Sequence, residues 1–194
     1  MRIIQPKMMD YIDWKLANNG LAQHSIETKN ARQLFIEAAK CCVGIREVGG
    51  NNMGPMVELI QETIGRAEKE AWCMAFVQTL LAYTESKTGI ISQISASEHC
   101  LTVWNMCPLT SKVKIFPLPG AIAVWQHGVT DQGHTGIFIE KDQSGNTFKA
   151  VEGNTEAGIN PSGTIERDGG GVYFTDRSMI ANGNMRLRGF LKPF

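Results

Sequence analysis

Residues 71–83 read AWCMAFVQTLLAY, and no other stretch limits the fold as strongly. On a helical path Trp72, Phe76, Leu80 and Tyr83 form one stripe, and Cys73, Val77 and Leu81 form the next. A helix that is apolar nearly all round has to lie buried at the centre of a domain. The rest of the chain must therefore supply the elements that enclose it.

Those elements fall into two blocks. Before Pro108 the apolar residues repeat with a helical period. Ala31, Leu34, Phe35, Ala38, Ala39, Cys42 and Val43 make one continuous face, with Ser25 or Thr28 as the candidate cap and Gly44 as the stop. A further helix is predicted from about Pro55, and a shorter one over SEHCLTVWNM with Ser97 as its cap. After Pro108 the pattern becomes that of strands: 121–126, a hairpin of 134–142 and 147–153 turning at QSGN, then 171–177 and 185–193. Helices first and an antiparallel sheet of about five or six strands second is an α+β domain. Residues 1–30 read as an N-terminal extension, with Met8, Met9, Ile12 and Leu16 spaced as a short helix that ends at NNG. Residues 31–194 then form the main domain.

Charge and composition exclude some functions. Nineteen basic residues balance nineteen acidic ones, so no basic excess points to nucleic acid or an anionic membrane. The N-terminus lacks the apolar core of a secretory signal, and no run is long enough to span a membrane. The expectation is a chain made in the cytoplasm that reaches any outer target by release or delivery. An odd cysteine count, five, without a leader reads as free thiols. His99, Cys100 and Cys107 do not have a usual zinc spacing, so neither metal nor cofactor is expected.

Cys73 has two readings. It can be one more small core residue. It can also be a nucleophile, because a helix N-terminus favours a thiolate and offers N–H groups to an oxyanion. A thiol nucleophile needs a base, and among His24, His99, His127 and His134 the last opens a strand directly after a glycine. The base needs an orienter. Phe148, Ala150 and Glu152 alternate onto one strand face that ends in a carboxylate, and Asn154 keeps that parity if the chain stays extended. Counted outward from the turn, His134 and residues 152–154 miss registry by two to four positions, a gap that a bulge can absorb. Cysteine, histidine and polar orienter in that order is the papain-like arrangement.

Taken together, EAWCMAFV, PGAIAVW leading to GHTGIFIE, and VEGNT resemble the CHAP family, the cysteine- and histidine-dependent amidohydrolases/peptidases related to NlpC-type wall hydrolases. GIREVGGNNMGPMVELI looks like the loop and helix that precede the cysteine in that family, and RDGGGVYFTDRS and RLRGFLKP resemble its closing strands. The resemblance implies Cys73 as nucleophile, His134 as base, Glu152 as the acid that orients it and Asn154 as its companion. It implies cleavage of a peptidoglycan amide, as an N-acetylmuramoyl-L-alanine amidase or a peptide endopeptidase. With no leader, such a chain would be a phage endolysin released through a holin, or an antibacterial effector with an immunity protein as partner. Ala121 stands where the family usually has an aspartate, which bears on a turn and not on the chemistry. Glu47, Asn51, Asn52 and Trp72 are candidate substrate-binding residues; turn formation for the asparagines and core packing for Trp72 are the rival readings. The other functional readings are a papain-like peptidase, deamidase or acyltransferase acting on a protein, and an inactive wall-binding module.

Overall fold

A computed structural model of the chain describes residues 2–65, 67–115, 117–156, 170–180 and 182–194. Helices come first: α1 (Pro6–Leu16), α2 (Gly20–Glu27), α3 (Ala31–Cys41), α4 (Pro55–Glu62), α5 (Cys73–Thr88) and α6 (Cys100–Met106). Six strands follow: β1 (Lys112–Val113), β2 (Ile122–His127), β3 (Gly133–Lys141), β4 (Thr147–Thr155), β5 (Gly171–Ser178) and β6 (Met185–Leu191). They form one sheet in the order β1-β6-β2-β3-β4-β5, and every neighbouring pair is antiparallel. The fold is α+β, as the two periodicities predict.

The helix α5 is the centre the sequence requires. Residues 73–84 are all buried, and α3, β3 and β4 pack around it. Each large apolar side chain so buried contributes roughly 1.5–3 kcal/mol. Alternation splits the sheet into two faces. Val124, Ile137 and Val151 join the helices' core, while Trp125, Phe138, Phe148 and Phe190 build a separate aromatic cluster on the other face. There Trp125 and Phe148 stack with centroids 6.1 Å apart.

Several local expectations change. The N-terminal region holds two helices, since Asn19 caps α2 by accepting from the Ala22 N–H at 3.0 Å. Met8, Ile12, Leu16 and Ala22 share one core with Phe35 and Leu80, so this region is built into the main domain. The cap of α3 is Asn30, which accepts from the Gln33 N–H; Ser25 lies inside α2 and Thr28 closes it. Ser97 accepts from the His99 N–H, one residue before the helix proper, and His99 is the cap position of α6. Strand β1, two residues long, carries no pattern to be read. Residues 167–169 of RDGGGVYFTDRS lie outside the described residues. Among the described residues no helix is long and apolar enough to cross a membrane.

Candidate active site

Cys73 is the first residue of α5, after Trp72 at the cap position, and no side chain caps this N-terminus. Its first backbone N–H groups have no partner within the helix, and the Met74 N–H bonds to the Cys73 sulfur. Trp72 is wholly buried, packed edge-on against Phe76. Its indole N–H donates to Glu47 Oε1 at 2.8 Å. Trp72 therefore presents no wall to a ligand. It is a core residue that fixes where α5 begins, and half-buried Glu47 holds it.

His134 is the second residue of β3 and is only 7% exposed, with its ring 5.9 Å from that of Trp125. Its Nε2 bonds to Glu152 Oε2 at 2.8 Å. Nδ1 is then the nitrogen left for the Cys73 sulfur, with which His134 shares a hydrogen bond. Glu152 is fully buried. Thr175 Oγ1 donates to its Oε1 at 2.6 Å and Arg177 Nε to the same oxygen at 2.7 Å, while a second Arg177 nitrogen donates to Oε2. Arg177 is itself buried, with its guanidinium 5.7 Å from the Trp125 ring. The candidate nucleophile, base and orienter thus meet, and Glu152 is clamped by two further residues of β5.

Register explains how Glu152 reaches His134. Strands β3 and β4 pair Ile137 with Val151 and Phe138 with Ala150, and a bulge follows Phe138. That bulge absorbs part of the mismatch counted from the turn. One position further along β3, Gly136 lies against Glu152. The Glu152 side chain lies across Gly136, where a Cβ would come within 2.4 Å of its Cγ. Asn154 lacks the extended conformation on which its shared parity with Glu152 depended. It has a left-handed φ of 55°, beside a second irregularity between Glu152 and Thr155, and is buried. At Gly153, between them, a Cβ would meet the Phe76 ring at 2.8 Å, so β4 lies directly on α5.

We expect Gly136→Ala to push Glu152 off His134. Crowding of this kind costs about 1–3 kcal/mol of stability. Misplacing the orienter should lower kcat about 100-fold. Melting and kinetics on the purified variant check this; an unchanged kcat would contradict the packing.

Burial alone would raise the pKa of Glu152, but the charge and hydrogen bonds of Arg177, with those of His134, outweigh it and hold the carboxyl well below its usual range. Burial would lower the pKa of His134, yet its bonds to Cys73 and Glu152 push it up to about 9. The Cys73 thiol is held well below its ordinary value, first by a hydrogen bond from Cys100, then, against burial, by His134. Both shifts run in the direction of a thiolate beside an imidazolium, a pair in which both ring nitrogens would donate.

Of the other candidates, Asn51 is exposed. Asn52 is buried at a left-handed φ of 56°, and its carbonyl accepts from Gln61 at 3.2 Å, so it serves the loop's own fold. Gly54 takes the cap position of α4. Sequence reasoning missed Thr175, Arg177, Gly136 and Cys100, whose sulfur lies 3.7 Å from that of Cys73. Among the described residues no group of three or more His, Cys, Asp or Glu is placed to hold a metal ion. Comparison with protein-family models, curated proteins and solved structures finds no match, so the site is read from its own geometry.

Proposed function

We propose that this chain is a papain-like cysteine amide hydrolase that cleaves peptidoglycan. The observation that carries the chemistry is the chain of contacts from the Cys73 sulfur through the His134 ring to the clamped Glu152 carboxylate. The substrate class is supported by the resemblance of WCMAFV, GHTGIF and EGNT to the CHAP family. In this reading the Cys73 thiolate attacks the scissile carbonyl. The oxyanion that forms faces the N–H groups at the start of α5, where the helix dipole also favours it. Nδ1 of His134 gives its proton to the leaving amine. Neutral His134 then draws a proton from water, which hydrolyses the thioester. Glu152 keeps the ring turned toward the sulfur throughout. A phage lysin or a delivered antibacterial effector is the setting this reading suggests.

The test is digestion of purified peptidoglycan followed by mass spectrometry of the soluble products. Release of a free L-alanine amine would identify an amidase, and a new amine within the stem or cross-bridge an endopeptidase. No new terminus, beside cleavage or modification of a protein substrate, would reject the wall reading.

The raised pKa of His134 sets a pH limit. The imidazolium that protonates the leaving amine exists below about pH 9 and is lost above it. Because thiol and imidazole titrate together, the limits belong to the pair. Initial rates should therefore be flat through neutral pH and fall as pH rises past about 9. A rate that tracks the ordinary thiol, rising through that range, would contradict the ion pair.

A further inference from the structure

Two cysteines at the active site are more than this mechanism uses. The sulfurs of Cys73 and Cys100 are 3.7 Å apart, and each is the first residue of its helix. Their approach is built in. Gln78, one turn along α5 from the thiol, donates to the carbonyls of Ser95 at 2.9 Å and Ser97 at 3.2 Å, tethering the segment that leads into α6. At the other side Cys100 sits directly on β3, where a Cβ at Gly133 would come within 2.9 Å of its own. The two cysteines are 7% and 5% exposed, and a peroxide is small enough to reach the sulfur at which the substrate carbonyl is proposed to bind.

We propose that Cys73 and Cys100 are a modification site at which a peroxide forms a reversible disulfide, taking the nucleophile out of action. A disulfide needs its sulfurs about 2.05 Å apart, so bond formation draws the two sulfurs together from 3.7 Å. In the first step the Cys73 thiolate attacks one peroxide oxygen. An S–O bond forms, the O–O bond breaks, and the hydroxide released takes the His134 proton as water. The Cys73 sulfur, now a sulfenic acid, has lost two electrons to the peroxide. In the second step Cys100 attacks that sulfur. The S–S bond forms, the S–O bond breaks, and the departing hydroxide leaves with the Cys100 thiol proton as a second water. A dithiol reverses the change. Cys100 thereby intercepts Cys73 before it reaches the irreversible sulfinic state. The low thiol pKa of Cys73 supports the first step, since the thiolate is the reactive form. The chemistry at sulfur stands apart from the substrate; only its effect on activity rests on the hydrolase reading.

The test is peptide mapping under non-reducing conditions after treatment of the whole chain with hydrogen peroxide. The expected product is a Cys73–Cys100 linked peptide, lighter by two hydrogens than its parts, with dithiothreitol restoring alkylation of Cys73 by iodoacetamide. In Cys100→Ser, and in Cys100→Ala as a second variant, Cys73 should gain two oxygens instead, and its recovered alkylation should fall roughly tenfold. Three results would each overturn the proposal: wild-type Cys73 carried to the sulfinic acid with Cys100 still a thiol, linkage of Cys73 to Cys41, Cys42 or Cys107, or no oxidation of Cys73. Since the readout is the thiol itself, failure of wall digestion would leave it intact.

Discussion

Replacing Cys73 with alanine should abolish amide hydrolysis and leave the fold standing. The sulfur that shares a hydrogen bond with His134, the ring held by Glu152, is that of Cys73, so the attack is assigned to it. Loss of a nucleophile of this kind lowers kcat on the order of 10⁴-fold or more. The side chain removed is small, and deleting one buried heavy atom costs about 1 kcal/mol. His134→Ala should reach a similar kcat, because nucleophile and base act as a unit, and the double variant should be little worse than either single one. Rates measured beside urea unfolding separate chemistry from stability. Substantial activity in Cys73→Ala would remove the thiol from the mechanism.

The second large effect belongs to Arg177, a residue that touches neither the thiol nor the histidine in any contact described above. Arg177→Met keeps an unbranched stem but leaves the fully buried Glu152 carboxylate without its guanidinium. Breaking a buried pair by removing one partner costs about 3–5 kcal/mol. The pH dependence carries a definite sign. The folded pKa of Glu152 is depressed, so the stabilisation is present above the unfolded value of about 4.5 and is lost as pH falls toward the folded one. The gap between wild type and variant should thus be full at neutral pH and close in acid. Activity should drop as well, about 100-fold or more, as the carboxyl takes a proton and ceases to orient an imidazolium. Urea melts at neutral and acid pH would check this; a gap that stays constant with pH would show that packing, not charge, is what Arg177 supplies.

The sequence carried the architecture in its periodicity. Helical spacing up to Met106 and strand spacing from Ala121 are tertiary facts written locally, because each element buries one face or, in α5, all of them. The candidate nucleophile and base could be picked out for a related reason: Cys73 opens α5 and His134 stands at the start of β3, while candidate orienter Glu152 follows Phe148 and Ala150 on one strand face. What stayed hidden lies on β5. There the burial pattern inverts, with Phe174 exposed at 43% while Thr175 and Arg177 turn inward. Hydrophobic alternation would face Phe174 to the core, and only the buried charge of Glu152 on the neighbouring strand explains the reverse. The parity of Asn154 with Glu152 holds on condition of an extended strand, and its φ is left-handed. The nearness of Cys100 to Cys73 depends on how α6 docks on β2 and β3, and no spacing of 27 residues encodes that.

The most direct measurement is acid-quenched mass spectrometry of the intact protein during turnover of a purified muropeptide. The thiolate mechanism requires a transient thioester, so a fraction of the chain should carry the acyl half of the substrate on Cys73, mapped by peptide sequencing and missing in Cys73→Ala. Turnover with the chain never acylated, or acylation at another cysteine, would contradict Cys73 as the nucleophile.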